Sequence, residues 1–224
     1  MHKRWIARDT PWPTVVRLSL YTTVVFAFTA SLPLFVQHQD ITVYRENGPV
    51  EWLQFSLLAA ATLVLVAGAS RMPGLRIVLL VLACFSAFAA TRELDAILDA
   101  VLPGIGWKIA FAYLAVAAAL VLGDRDGLMA QLRWFVSGRG FALLWAGFVI
   151  AVPFAQLVGH GAFLQLLMGE DYIRYYKTVI EESGELFGYF LIFAGSLETL
   201  VQAGAQHESA AGRQTRSTIA GVTT

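Results

Sequence analysis

Apolar residues in this chain come in blocks of about 20, the length that crosses the hydrocarbon of a bilayer, instead of alternating at short period with polar ones. Six blocks predict six helices, at about Leu18–Val36, Glu51–Ser70, Leu75–Asp95, Gly106–Leu122, Gly140–Val158 and Thr178–Gln202. Backbone groups left unpaired in lipid are costly, so apolar runs of this length must be helical. The expected fold class is all-α, a polytopic transmembrane helix bundle of about six spans. Small residues such as Ala59-Ala60-Ala61 and Ala117-Ala118-Ala119 let such helices approach closely. The pattern divides the chain into a six-helix transmembrane domain, 1–204, and a cytoplasmic tail, 205–224. The tail is rich in Ser, Thr, Gly and Ala and is expected to be disordered. The first block comes after Lys3, Arg4 and Arg8 but is longer than a signal-peptide core, and no clear small-residue cleavage site lies beyond it. It is therefore expected to remain as a span.

Composition agrees with the pattern. Hydrophobic residues make up 57% of the chain and charged residues 14%, where soluble domains carry nearer a quarter. Net charge is zero and no basic face is present, so no nucleic-acid partner is expected; the partner is the lipid bilayer. The single cysteine, Cys84, rules out an internal disulfide and any cysteine-rich metal site.

Basic residues orient the spans. Eleven of the 16 Lys and Arg residues fall on one side: Lys3, Arg4, Arg8, Arg17, Arg71, Arg76, Arg125, Arg133, Arg139, Arg213 and Arg216. The other side holds Arg45, Arg92, Lys108, Arg174 and Lys177. The positive-inside rule then predicts an integral protein of the bacterial inner membrane with both termini in the cytoplasm.

Acidic and basic side chains gather at the outer span ends. The second span is entered past Glu46 and Glu51, and the third ends in T-R-E-L-D with Arg92, Glu93 and Asp95. The fourth begins with Lys108, and the sixth carries Lys177, Glu181, Glu182 and Glu185. Counting about 20 residues back from Gln202 sets the boundary near Ser183, which places Glu185 inside the hydrocarbon. Glu181 and Glu182 lie four and three residues from Glu185, on one helix face. Ionisable groups within spans face the bundle interior and pair there. The predicted polar cluster is therefore Glu51, Arg92, Glu93, Asp95, Lys108, Glu181, Glu182 and Glu185. Its acids outnumber its bases, so some acids hold a proton, or a cation sits among them, or water reaches the site. Loop acids Asp40, Glu46, Glu170 and Asp171 are expected to be solvated.

The residue types limit the chemistry. His2, His38, His160 and His207 all lie in termini or loops, so no haem is expected, although His160 could reach the cluster. A metal held by Glu93, Glu182 and Glu185 would have oxygen ligands, which suits a divalent cation or iron. R-E-L-D at 92–95 and E-S-G-E at 182–185 resemble the R-E-x-x-E and E-x-x-E elements of ferric-iron permeases. The likeness covers eight residues and departs from the pattern at Ala96, where the permeases carry Glu, so membership is not assigned. Ser183 lies outside any nucleophile elbow, and no catalytic residue is assigned. Glu198 reads as interfacial, and Trp107 and Tyr176 as interface anchors able to line a site mouth.

These features predict an outward-facing intramembrane cluster that binds a cation or protons, for transport. One alternative is an acid/base or metal-dependent intramembrane enzyme acting on a lipid or envelope precursor. The other is a non-catalytic membrane subunit or assembly factor whose charges lock helices together.

Overall fold

The computed structural model describes residues 12–39, 43–45 and 47–222. Lys3, Arg4, Arg8, Asp40 and Glu46 lie outside the described residues. The chain forms two compact units, Met1–Val43 and Tyr44–Thr224. The described residues form helices joined by turns, and six helices are long and apolar enough to cross a membrane. They are Trp12–Ser31, Pro49–Arg71, Pro73–Arg92, Gly106–Gly123, Arg139–Val158 and Arg174–Ala205. The protein is an all-α bundle of about six spans, as the block pattern predicts.

The first unit holds α1 (Trp12–Gln39). Its hydroxyls are satisfied inside the helix: Thr22, Thr23 and Thr29 donate to the carbonyls of Leu18, Ser19 and Val25 at 2.9–3.0 Å. Such back-bonding lets a polar residue sit in an apolar medium.

In the second unit α2 (Pro49–Arg71) packs against α3 (Arg76–Arg92), and α3 against α5 (Phe111–Gly123). The short α4 (Asp95–Val101) and a 3₁₀ turn, Gly106–Ala110, join α3 to α5. After α6 (Arg125–Val136) and α7 (Arg139–Val149) comes a π-helical turn, Ile150–Phe154, then α8 (Ala155–Val158) and α9 (Gly161–Met168). The last helix, α10 (Arg174–Val222), packs against both α7 and α2. Its backbone is helical through Val222, across the stretch where a disordered tail is expected.

The third span differs from its predicted extent. It ends at Arg92, with Glu93 in the cap position, and Asp95 opens a new short helix. Asp95 turns its carboxylate onto the amide of Ala96 at 2.6 Å, the local side-chain bond by which Asp competes with a continuing helix.

Close packing stands in for the hydrophobic drive that lipid does not supply. A Cβ on Gly188 would lie 2.6 Å from both the Cβ and the amide nitrogen of Ala151, so α10 and the π turn touch backbone to backbone. One core cluster, Leu58, Ala90, Ala151 and Tyr189, takes residues from α2, α3, the π turn and α10. A second, Leu65, Ala69, Leu79 and Ala83, joins α2 to α3 near the opposite end. There Gln131 of α6 accepts the amides of Ile77 and Val78 at 3.0 and 3.1 Å, capping two of the donors that a helix start leaves open.

Candidate functional site

Four residues of α10, Lys177, Glu181, Glu185 and Tyr189, are spaced four apart and so share a face. Burial increases along the stripe. The Lys177 and Glu181 side chains are 34% and 17% exposed and form an ion pair at 2.7 Å, whereas Tyr189 is 8% exposed. Tyr189 donates its hydroxyl to Glu93 Oε1 at 2.9 Å, tying the depth of α10 to the end of α3.

Glu182 faces α2. Gln54, fully buried, donates through Nε2 to the Glu182 carbonyl at 3.1 Å and to Glu182 Oε2 at 3.0 Å. The backbone carbonyl can only accept, so it fixes which end of the amide points that way; a flipped amide would set acceptor against acceptor. Gln54 Oε1 is thereby left buried with no hydrogen-bond partner.

Glu185 faces the fifth span. Gln156 of α8 donates to Glu181 at 3.1 Å and to Glu185 at 3.3 Å. It comes directly after the π turn that contains Pro153. A π turn adds a residue to the helical repeat and rotates the next stretch of helix, and proline withholds the amide that would close the regular turn. The turn thus sets the direction in which Gln156 leaves the helix.

The carboxylates lie within electrostatic reach of one another. Glu182, Glu51 and the Arg92 cation act on Glu93, and Glu93, Glu182, Glu181 and Arg92 act on Glu185. Arg92 itself is exposed, with its guanidinium 5.6 Å from the centre of the Trp107 ring. Glu51 sits in the first turn of α2 and accepts the Asn47 amide. Among the described residues, the acids Glu51, Glu93, Glu181, Glu182 and Glu185 therefore stand beside the cations Arg92 and Lys177.

Two members of the predicted cluster make local bonds instead. Asp95 is exposed and bonded to its neighbour's amide, and Lys108 is exposed and donates to the Gly104 carbonyl at 3.2 Å. Sequence reasoning missed Gln54, Gln156 and Tyr189. The available signal was a glutamine one turn beyond Glu51 and a tyrosine one turn beyond Glu185. His160 is exposed, and its Nδ1 accepts the Phe163 amide at 3.4 Å at the start of α9. Glu198, read as interfacial, is fully buried together with Ser196 and Thr199 in the other half of α10. Depth alone suggests an interfacial position, but burial depends on the helix face. Tyr44 and Ser183 hydroxyls lie 3.3 Å apart.

Among the described residues, no group of three or more His, Cys, Asp or Glu side chains is arranged to hold a metal ion. Glu93, Glu182 and Glu185 are neighbours whose oxygens are each met by a different donor, Tyr189, Gln54 and Gln156. A cavity of about 460 Å³ lies at the other end of the bundle, lined by Met72, Pro73, Gly74, Leu75, Gln131 and Trp134 among others.

No known protein family, curated protein or solved structure matches this chain. The fold itself defines the class: a helical, multi-pass membrane protein.

Proposed function

We propose that the carboxylate end of the bundle binds a cation or protons as a step in transport, and that it faces outward from a bacterial inner membrane with both termini cytoplasmic. The observation that carries this reading is the buried, partnerless Gln54 Oε1 set among carboxylates. A buried acceptor without a donor costs about 1–3 kcal/mol, and carboxylates outnumbering cations carry a further desolvation cost. A proton on a neighbouring carboxylate, or a cation ligated by Gln54 Oε1, relieves both costs.

A purely structural lock would set acids against bases. Glu93, Glu182 and Glu185 instead accept from a phenol and two amides.

The test is flux into vesicles that carry the purified protein, read by an internal pH dye and, separately, by a divalent-cation dye. Flux above that of protein-free vesicles, lowered by the Glu93→Gln, Glu185→Gln double variant, is the expected result. Wild-type protein with neither flux nor calorimetrically detectable cation binding overturns the reading.

A further inference from the structure

The geometry around Gln54 points to a particular ligand and a particular residue. We infer that the site binds a proton, held on Glu182 as a neutral carboxylic acid that closes a two-bond pair with the Gln54 amide. This deepens the cation-or-proton reading and rests on it.

A primary amide and a carboxylic acid make a complementary pair: the amide N–H donates to one acid oxygen, and the acid O–H donates back to the amide oxygen. Half of this pair is already formed, since Gln54 Nε2 donates to Glu182 Oε2 at 3.0 Å. The other half is wanting on the same amide, where Oε1 is buried and accepts nothing. The amide cannot turn over to remedy this, because Nε2 also holds the Glu182 carbonyl at 3.1 Å. A proton from the outer aqueous phase forms an O–H bond on the other carboxyl oxygen of Glu182, and rotation of the carboxyl turns that O–H toward Gln54 Oε1. On release the O–H bond breaks and the proton returns to water or passes to a neighbouring carboxylate. Nothing else is exchanged.

The surroundings select a proton over a metal ion. The groups that point at the carboxylate oxygens are N–H and O–H donors, from Gln54, Gln156, Lys177 and Tyr189, and a metal ion would meet their positive ends. Around Glu182 stand Glu51 from α2, Glu93 at the cap of α3, and Lys177, Glu181 and Glu185 on its own helix, with Arg92 acting on Glu93 and Glu185. Neutralising Glu182 removes a negative charge that acts on both Glu93 and Glu185.

The pair makes an unusual demand on substitutions. Glu182→Gln mimics the protonated form: its carbonyl accepts from Gln54 Nε2 and its amide donates to Gln54 Oε1. Glu182→Leu can do neither. In lipid nanodiscs, Glu182→Gln is expected to melt at or above the wild-type temperature at neutral pH, and Glu182→Leu below it. Infrared pH titration of the wild type is expected to show a protonated-carboxyl component that is lost in Glu182→Gln, shifted in Gln54→Met and unchanged in Glu170→Gln. A protonated-carboxyl band unchanged in position and intensity by Glu182→Gln, or equal destabilisation by Gln and Leu, overturns the inference. So does a Glu182-dependent rise in melting temperature on adding Mn²⁺ or Ca²⁺, although the cation-binding reading would then stand. Absence of both band and metal effect overturns both.

Discussion

Tyr189 donates its hydroxyl to Glu93 Oε1 at 2.9 Å, linking α10 to the residue that caps α3. The two are 96 positions apart in sequence, and the tyrosine belongs to the core cluster shared by four elements. Tyr189→Phe removes the donor and keeps the ring. A buried carboxylate that loses such a bond costs about 1.5–3 kcal/mol. The expected outcome is a lower melting temperature in nanodiscs, and a rescue of stability when Glu93→Gln is added. A double variant no more stable than Tyr189→Phe would mean that the bond does not couple the two helices.

Glu185 and Glu170 are both glutamates near the same end of the bundle, but their settings differ. Glu185 is half-buried on the α10 stripe, accepts from Gln156 and feels three other carboxylates. Glu170 is exposed in the turn before α10. Glu185→Gln is expected to abolish pH-dependent uptake, and Glu170→Gln to leave it within about twofold of wild type, as surface changes usually do. Uptake that is the same in both variants would remove Glu185 from the uptake path.

Gly188 lies against Ala151 with no room for a side chain, since an added Cβ meets backbone nitrogen at 2.6 Å. Gly188→Val forces α10 away from the π turn, and overpacking of this kind costs about 1–3 kcal/mol or more. Because Gln156 comes directly after that turn, the same shift carries its amide away from Glu181 and Glu185. Gly188→Val should therefore lower both the melting temperature and any uptake. By contrast, Gly123→Ala meets nothing within 4 Å and should be silent in both assays.

The eleven-to-five division of Lys and Arg predicts that reporter fusions after Asp40, Gly104 and Gly169 all report the outer side. A cytoplasmic signal from any one of the three would invert or break the proposed topology.

The spans were legible because length and apolarity are properties of consecutive residues, and lipid leaves a long apolar run no conformation but helix. That Glu93, Glu182 and Glu185 fall near the same ends of their helices was legible for the same reason, since a helix advances by a fixed rise per residue. Asp95 fell outside the group because the helix breaks at Glu93–Leu94, a local event unmarked by proline or glycine. Which side chain meets each acid depends on how neighbouring helices are rotated, and no run of consecutive residues encodes that rotation. The tertiary structure alone put Gln54 against Glu182, turned Gln156 through a π bulge toward Glu181 and Glu185, and buried Glu198. The amino-acid sequence by itself determined a six-span all-α membrane protein with acids at one end; helix packing decided which partners those acids have.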